Sequence, residues 1–228
     1  MQKKIFKYLI IIGLIFCSNF VKAQDYSYTK DNVDIIGRGL VEWDEDKVLI
    51  SDCFIALKRE SPEKFEMTFS VKSAKTGGEV QAWSGFGFQN RDNRYAFGLR
   101  GGNNNDLYLC RYQSDAKNKM LAIASLDFQL SLEKWYKVKV VFWEGNIRIY
   151  LNDETTPRIV SKDKNYLEGG NAVLGGGWLP TEFKGLSIKA LSEEDVNCMK
   201  TILLHITRVY QLSKKIRKGK SNVTTIDL

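Results

Sequence analysis

Three stretches of this chain carry residue types that could do chemistry. The first is Glu42-Trp43-Asp44. In an extended strand, residues i and i+2 share one face about 6.5–7 Å apart. Two carboxyls at about 5 Å can divide the nucleophile and acid/base roles of glycoside hydrolysis. The pattern then stops, because Lys47 stands where a further acid would extend it and Asp46 points to the wrong face. An acidic turn before Val48-Leu49-Ile50 accounts for these residues better. The second stretch is WSGFGFQNRDNRYAFGLRGGNNNDLYLCRY, Trp83 to Tyr112. Alternation aims Phe86, Phe88, Tyr95, Phe97 and Leu99 at a core. The opposite face then carries Trp83, Gly85, Gly87, Gln89, Arg94, Ala96, Gly98 and Arg100, with Tyr108 and Tyr112 beside it. Small residues at strand centres forfeit packing, which marks close approach of a ligand or another backbone. A shallow floor rimmed by rings, arginines and an amide suits a saccharide. Rings stack on its C–H faces, while Arg and Gln bond hydroxyls or an acidic group. The third stretch is Asn103-Asn104-Asn105-Asp106, whose oxygens could ligate a hard cation or simply shape a polar turn.

Other chemistry finds little support. A Ser-His-Asp or Cys-His mechanism would have to use His205, the sole histidine, in a helix-like tail. Gly175-Gly176-Gly177 follows a strand and leads to Trp178 and Pro180, so it is no phosphate loop. Cys53, Cys110 and Cys198 are widely spaced and form neither a disulfide framework nor a C-x-x-C metal site; one pair could bridge, with three free buried thiols the plainer expectation. No catalytic constellation emerges.

These groups must be positioned by a secreted fold. Lys3, Lys4 and Lys7 precede an apolar run from Tyr8 to Phe16, and Val21-Lys22-Ala23 offers a cleavage site before Gln24. That is a signal peptide over 1–23, which places the product outside the cell or in the periplasm. Phe16 stands before Cys17 where a lipid-anchor motif needs a small residue, so a lipid anchor is not expected. No later segment is apolar enough to span a bilayer. The chain's net charge of +7 resides at its two ends. The leader holds four lysines and no acid, the region after Ala190 has an excess of three cations, and the stretch between is neutral. Nucleic-acid binding, which needs a basic face on the domain itself, is not expected.

The middle reads as strand after strand. Phe65, Met67, Phe69 and Val71 alternate with polar residues, as do Tyr136, Val138, Val140 and Phe142. A Glu144-Gly145-Asn146 turn then returns the chain into Ile147, Ile149 and Leu151, the pattern of an antiparallel hairpin. Further strands are expected at Gly39 to Trp43, Lys47 to Ile50, Val80 to Gln89, Arg94 to Arg100, Leu107 to Tyr112, Met120 to Ser125, Arg158 to Ser161, Ala172 to Gly175 and Phe183 to Leu191. Many short strands with Gly-rich turns predict an all-β, two-sheet antiparallel sandwich. The tail, 192–228, differs. Ser192 and Asp195 form a capping-box-like start, and Met199, Ile202, Leu203, Ile206, Val209 and Tyr210 recur at helical spacing before a basic run. It reads as an amphipathic helix or linker, or as the start of a further domain.

The hairpin WYKVKVVFWEGNIRIYLND, Trp135 to Asp153, with the closing FKGLSIKAL, resembles the concanavalin-like and laminin-G-like jelly rolls. The Trp83 to Tyr112 block resembles laminin-G-like and 3-keto-disaccharide-hydrolase-like jelly rolls of secreted bacterial proteins. The resemblance covers most of 24–191. It implies that Arg94 and Arg100 sit beside a sugar-contacting face with Trp178 at its rim. It also implies that Asn103, Asn105 and Asp106 could hold Ca2+. The hydrolase members' additional acids and histidines have no counterpart here, and the domain lacks histidine. The expectation is a secreted non-catalytic carbohydrate-binding module for an oligo- or polysaccharide, alone or leading a polysaccharide-degrading enzyme. The alternatives are a divergent glycosidase-type hydrolase and a protein-interaction or structural module.

Overall fold

The computed structural model describes residues 28–73, 81–114, 116–177 and 179–201. The expected signal peptide, most of the tail, His205 and Trp178 lie outside these residues. Twelve strands carry the fold: β1 (Val33–Trp43), β2 (Lys47–Glu60), β3 (Phe65–Ser73), β4 (Gln81–Asn90), β5 (Asn93–Arg100), β6 (Asp106–Gln113), β7 (Ala116–Ser125), β8 (Tyr136–Trp143), β9 (Asn146–Leu151), β10 (Ile159–Lys162), β11 (Asn171–Gly176) and β12 (Thr181–Ala190). They form one continuous antiparallel ladder, β10-β9-β8-β3-β12-β2-β11-β4-β5-β6-β7, with β1 paired to β2. All-β antiparallel architecture thus stands, in a single sheet that folds back on itself.

Alternation builds the core. In β3, Phe65, Met67, Phe69 and Val71 are all buried while the intervening residues are half-exposed. Their rings meet those of strands far along the ladder. Phe65 lies 5.6 Å from Phe86 of β4, Phe69 lies 6.1 Å from Phe97 of β5, and Phe86 lies 5.3 Å from Phe142 of β8. The two arms of the sheet therefore face one another, and burying a side chain of this size contributes roughly 1.5–3 kcal/mol. The β8–β9 hairpin turns through Glu144 and Gly145, both at positive φ (46° and 71°), as a two-residue turn matched to strand twist requires.

The long β2 joins the arms. Its first residues pair with β12 and its later ones with β11, while β1 runs along its other edge. Asp52, at φ 54°, marks the change, opposite a register slip between Gly37 and Leu40. The expected strand Lys47 to Ile50 is only the first third of this element. Beyond Ile50 the chain is apolar on both faces in places, Ile55, Ala56 and Leu57 all being buried, so alternation is lost although the strand continues.

A second deviation lies in β4. Gly87 has φ 58°, and four residues of β4 (Gly85 to Phe88) span three of β11 (Asn171 to Val173). This bulge turns Phe88 away from Phe86, so the expectation that both face one core is wrong. Phe88 packs with Ala56, Val173 and Ile36 on the opposite face.

Beneath β5 and β6 a buried polar network ties the sheet to the segment before β11. Arg111 Nη1 donates to both oxygens of Asp163 at 2.7 Å, and Tyr95 donates its hydroxyl hydrogen to Asp163 Oδ2 at 2.8 Å. The Tyr95 oxygen accepts from Leu167 N–H at 3.2 Å. All three side chains are buried and satisfied, as interior charge requires. Leu191 begins a separate unit, in which residues 193–201 are helical. Its capping box is formed as expected: Asp195 N–H donates to Ser192 Oγ at 3.1 Å and Ser192 N–H to Asp195 Oδ2 at 2.9 Å. Cys53 and Cys110 are free and buried, as the sequence led one to expect of them.

Candidate functional site

The face opposite the aromatic core, across β2, β11, β4, β5 and β6, brings together most of the residues singled out by sequence. Cross-strand partners share a face, so the register places Gly175 beside Trp83, Trp83 beside Gly98, Arg94 beside Tyr112, Gly98 beside Tyr108 and Arg100 beside Asp106. Trp83, Arg94, Arg100, Tyr108 and Tyr112 all lie there, half-exposed.

Their side chains form a stack. The Arg94 guanidinium lies 4.1 Å above the Tyr112 ring and 5.7 Å from that of Phe54. Phe54 meets Trp83 edge-on at 4.3 Å. Arg91 also lies 5.8 Å from the Phe54 ring, and Arg100 sits 4.9 Å from the Tyr108 ring. Alternating cations and rings hold one another by quadrupole attraction and shared burial. Phe54 and Arg91 were not among the expected residues. Phe54 sits in the part of β2 where alternation fails, and Arg91 in the β4–β5 turn. The apolar run Cys53 to Leu57 was the available signal for the former.

The small residues do not form an empty floor. A Cβ on Gly175 would overlap the six-membered ring of Trp83, and one on Gly98 would stand 2.8 Å from Trp83 Cβ. One on Gly85 would stand 2.9 Å from a Val173 methyl. Close approach at these glycines is real: the Tyr95 carbonyl and Val173 crowd Gly85, the Ala82 carbonyl and Trp83 crowd Gly98, and the indole itself covers Gly175. The platform is therefore a layer of side chains laid on small residues.

One expected member is missing from it. The Gly87 bulge sends Gln89 to the other side, where its Nε2 donates to the Glu168 carbonyl at 2.8 Å. Trp178 lies outside the described residues. The calcium expectation does not fit the geometry either. Both Asp106 oxygens accept from Arg100, at 2.8 and 2.7 Å, and Asn105 is spent on the segment after β7. Asn105 Oδ1 accepts from Leu130 N–H at 2.9 Å and its Nδ2 donates to the Phe128 carbonyl at 2.8 Å. Asn103 is left exposed in the turn. No cluster of three or more His, Cys, Asp or Glu side chains suited to a metal occurs among the described residues.

Electrostatically the two arginines of the platform differ. Arg100 is neutralised by Asp106, and that hydrogen bond raises its pKa above the usual arginine value. Burial lowers that of Arg94, opposed by Tyr112 and the exposed Asp92, while Arg91 adds repulsion. Burial likewise pushes the Tyr108 hydroxyl well up, so it stays protonated.

The carboxylates of Glu42-Trp43-Asp44 do not make a catalytic pair. Asp44 caps its own turn, accepting from Glu45 N–H at 2.9 Å and lying 3.5 Å from Lys47 Nζ, and Glu42 is exposed on the β1 edge. A cleft of about 680 Å³ opens elsewhere, between the β2–β3 turn and the Tyr166 to Gly170 segment. Glu60, Glu63, Glu144 and Glu168 line it. Two of them are occupied: Glu60 accepts from Gly170 N–H at 2.9 Å, and Glu144 lies 3.9 Å from Lys64. The platform, rather than this cleft, is where aromatic and hydrogen-bonding groups converge.

No protein-family model matches this sequence, and no curated protein matches it. Solved structures do share its fold. The carbohydrate-binding module CBM66 from Bacillus subtilis superposes with a TM-score of 0.60 at 14% identity, over 70% of this chain and 96% of that one. A B. subtilis protein of unknown function with a galectin-like fold gives 0.54 at 11% identity, over 70% and 89%. The exoplasmic/lumenal domain of VIP36, bound to Ca2+ and Man3GlcNAc, gives 0.52 at 15% identity, over 72% and 86%. Among the described residues no helix is long and apolar enough to cross a membrane.

Proposed function

We propose that this chain is a carbohydrate-binding module that takes an oligo- or polysaccharide on the Trp83–Phe54–Arg94–Tyr112 platform. The observation that carries the reading is the platform itself, half-exposed rings interleaved with guanidinium groups on a sheet face. Rings of this kind cover the C–H face of a pyranose, and the Trp83 indole N–H, unpaired among the described residues, is a donor for a hydroxyl. The likeness to CBM66 and to VIP36, named for a carbohydrate-binding module and a mannose-bound form, supports the same class of ligand. The finer architecture is read as a two-sheet jelly-roll sandwich, its sheets being the β3-side and β5-side arms that share β2. The leader, residues 1–23, exports the protein to the periplasm or medium, and a downstream catalytic domain would gain avidity from a shallow site of this kind.

A glycan array probed with the full chain, beside Trp83→Ala and Tyr112→Ala, tests this. Binding to a defined glycan class that both folded variants lose by tenfold or more is the expected result. Silence across plant, host and microbial glycans would favour a protein partner on this face. Turnover of a bound glycan would instead revive the hydrolase alternative.

A further inference from the structure

We infer that the saccharide taken by this platform is anionic, its carboxylate or sulfate group lying against Arg94 with Arg91 beside it. The inference rests on the carbohydrate reading above and narrows it. Three arginines stand on or beside the platform, and they are not equivalent. Arg100 carries its counter-ion within the fold, bonded through Nε and Nη2 to the two oxygens of Asp106. Arg94 carries none. It makes no ion pair or hydrogen bond among the described residues, and its Nε is buried without a partner. Arg91 also lacks an ion pair among the described residues, and it lies 5.8 Å from the same Phe54 ring that Arg94 approaches to 5.7 Å. Asp92, whose charge acts on Arg94, is exposed; its backbone N–H is held by Asn90 Oδ1 and, among the described residues, its carboxylate forms no bridge to either guanidinium.

Two like charges held against one ring, one of them half-buried, raise the energy of the empty face. The rings relieve only part of this, because quadrupole attraction is weaker than a carboxylate partner. An anion placed there gains twice, from bidentate bonding to a desolvated guanidinium and from cancelling the Arg91–Arg94 repulsion. A neutral hydroxyl gains neither in full. The aromatic neighbours Tyr112, Phe54 and Trp83 then bind the ring that bears the anionic group, which distinguishes an acidic sugar from a bare anion. Uronate carboxylate and sulfate ester share this chemistry, and the guanidinium fork matches both.

Isothermal titration with the full chain decides the matter, using oligogalacturonate, its methyl-esterified neutral counterpart, a sulfated chondroitin oligosaccharide and inorganic sulfate. The expected result is binding of one acidic oligosaccharide at least tenfold tighter than the neutral ester at low salt, the gap shrinking as salt rises. The Arg94→Gln variant should lose that gap. Arg94→Lys should keep only part of it, and Lys139→Gln on a distant strand should keep it whole. Should Arg94→Gln fail to fold by circular dichroism, the exposed Arg91→Gln should still narrow the gap several-fold. Equal binding of neutral and acidic oligosaccharides, or a gap that survives in Arg94→Gln, overturns the inference while leaving the carbohydrate reading intact. Binding of inorganic sulfate as tight as that of the oligosaccharides overturns the saccharide part. Binding of none of the four probes by a chain that is also silent on the array removes both.

Discussion

At the scale of single residues, the platform depends on Gly175, whose missing side chain is the space that the Trp83 indole fills. In Gly175→Ala the ring must lift, so glycan binding should fall at least tenfold and stability by about 1–3 kcal/mol, the usual cost of overpacking. Tryptophan emission together with a denaturant titration would report both. Glu182 makes a pH prediction. Burial raises its pKa, but Lys72 at 2.9 Å and Lys47 at 3.3 Å outweigh burial and hold it below the ordinary glutamate value. A carboxylate depressed in the folded state contributes stability above its unfolded pKa and loses it as pH falls through the folded one. Glu182→Gln should therefore destabilise by about 1–3 kcal/mol at neutral pH, as loss of a buried charged partner does. The gap from wild type should close as pH falls below the usual glutamate range, a trend that melts at pH 7 and pH 3 would show.

At the scale of elements, the face is held from beneath. Tyr95 and Arg111 are chain neighbours of Arg94 and Tyr112, so the Asp163 network on the core side fixes the strands whose outer side chains stack. Asp163→Ala leaves a buried guanidinium without its anion and should cost roughly 3–5 kcal/mol. Tyr95→Phe removes a single hydroxyl and should cost about 1–3 kcal/mol, with binding retained at temperatures where the variant is folded. Chemical denaturation of the two variants separates a broken ion pair from a lost hydrogen bond. The β4 bulge is the other element-level device. It decides that Phe88 joins the outer cluster while Gln89 leaves the platform. Period-two reading assumes an unbroken register, and one extra residue reverses every assignment beyond it.

At the scale of the whole strand unit, β2 belongs to both arms, and the opposite ends of the ladder also approach each other. Arg158, just before β10, bridges at 2.7 Å to Asp127, just after β7. Neither arm can lose its strands without exposing the aromatic core of the other. Far-UV circular dichroism and glycan-binding capacity should therefore be lost at the same urea concentration, in one transition. Separate midpoints would show that the arms unfold independently. Edman sequencing of the exported product should begin at Gln24, which tests the proposed leader independently of any binding assay.

Composition and periodicity were enough to establish an all-β chain, its hairpins, the capping box at Ser192 and the face that gathers Trp83, Arg94, Arg100, Tyr108 and Tyr112. Those features follow from local rules, alternation and turn chemistry, that each residue obeys with its near neighbours. Pairing across the sheet settled the rest. Phe54 reaches the platform because β2 continues past Ile50 between β1 and β11, and Asp106 leaves the metal question because Arg100 stands opposite it. Gly175 proves to be a seat for an indole rather than an open floor. Each of these depends on which residue lies across a strand boundary, and strands distant in sequence become neighbours only when the core folds them together.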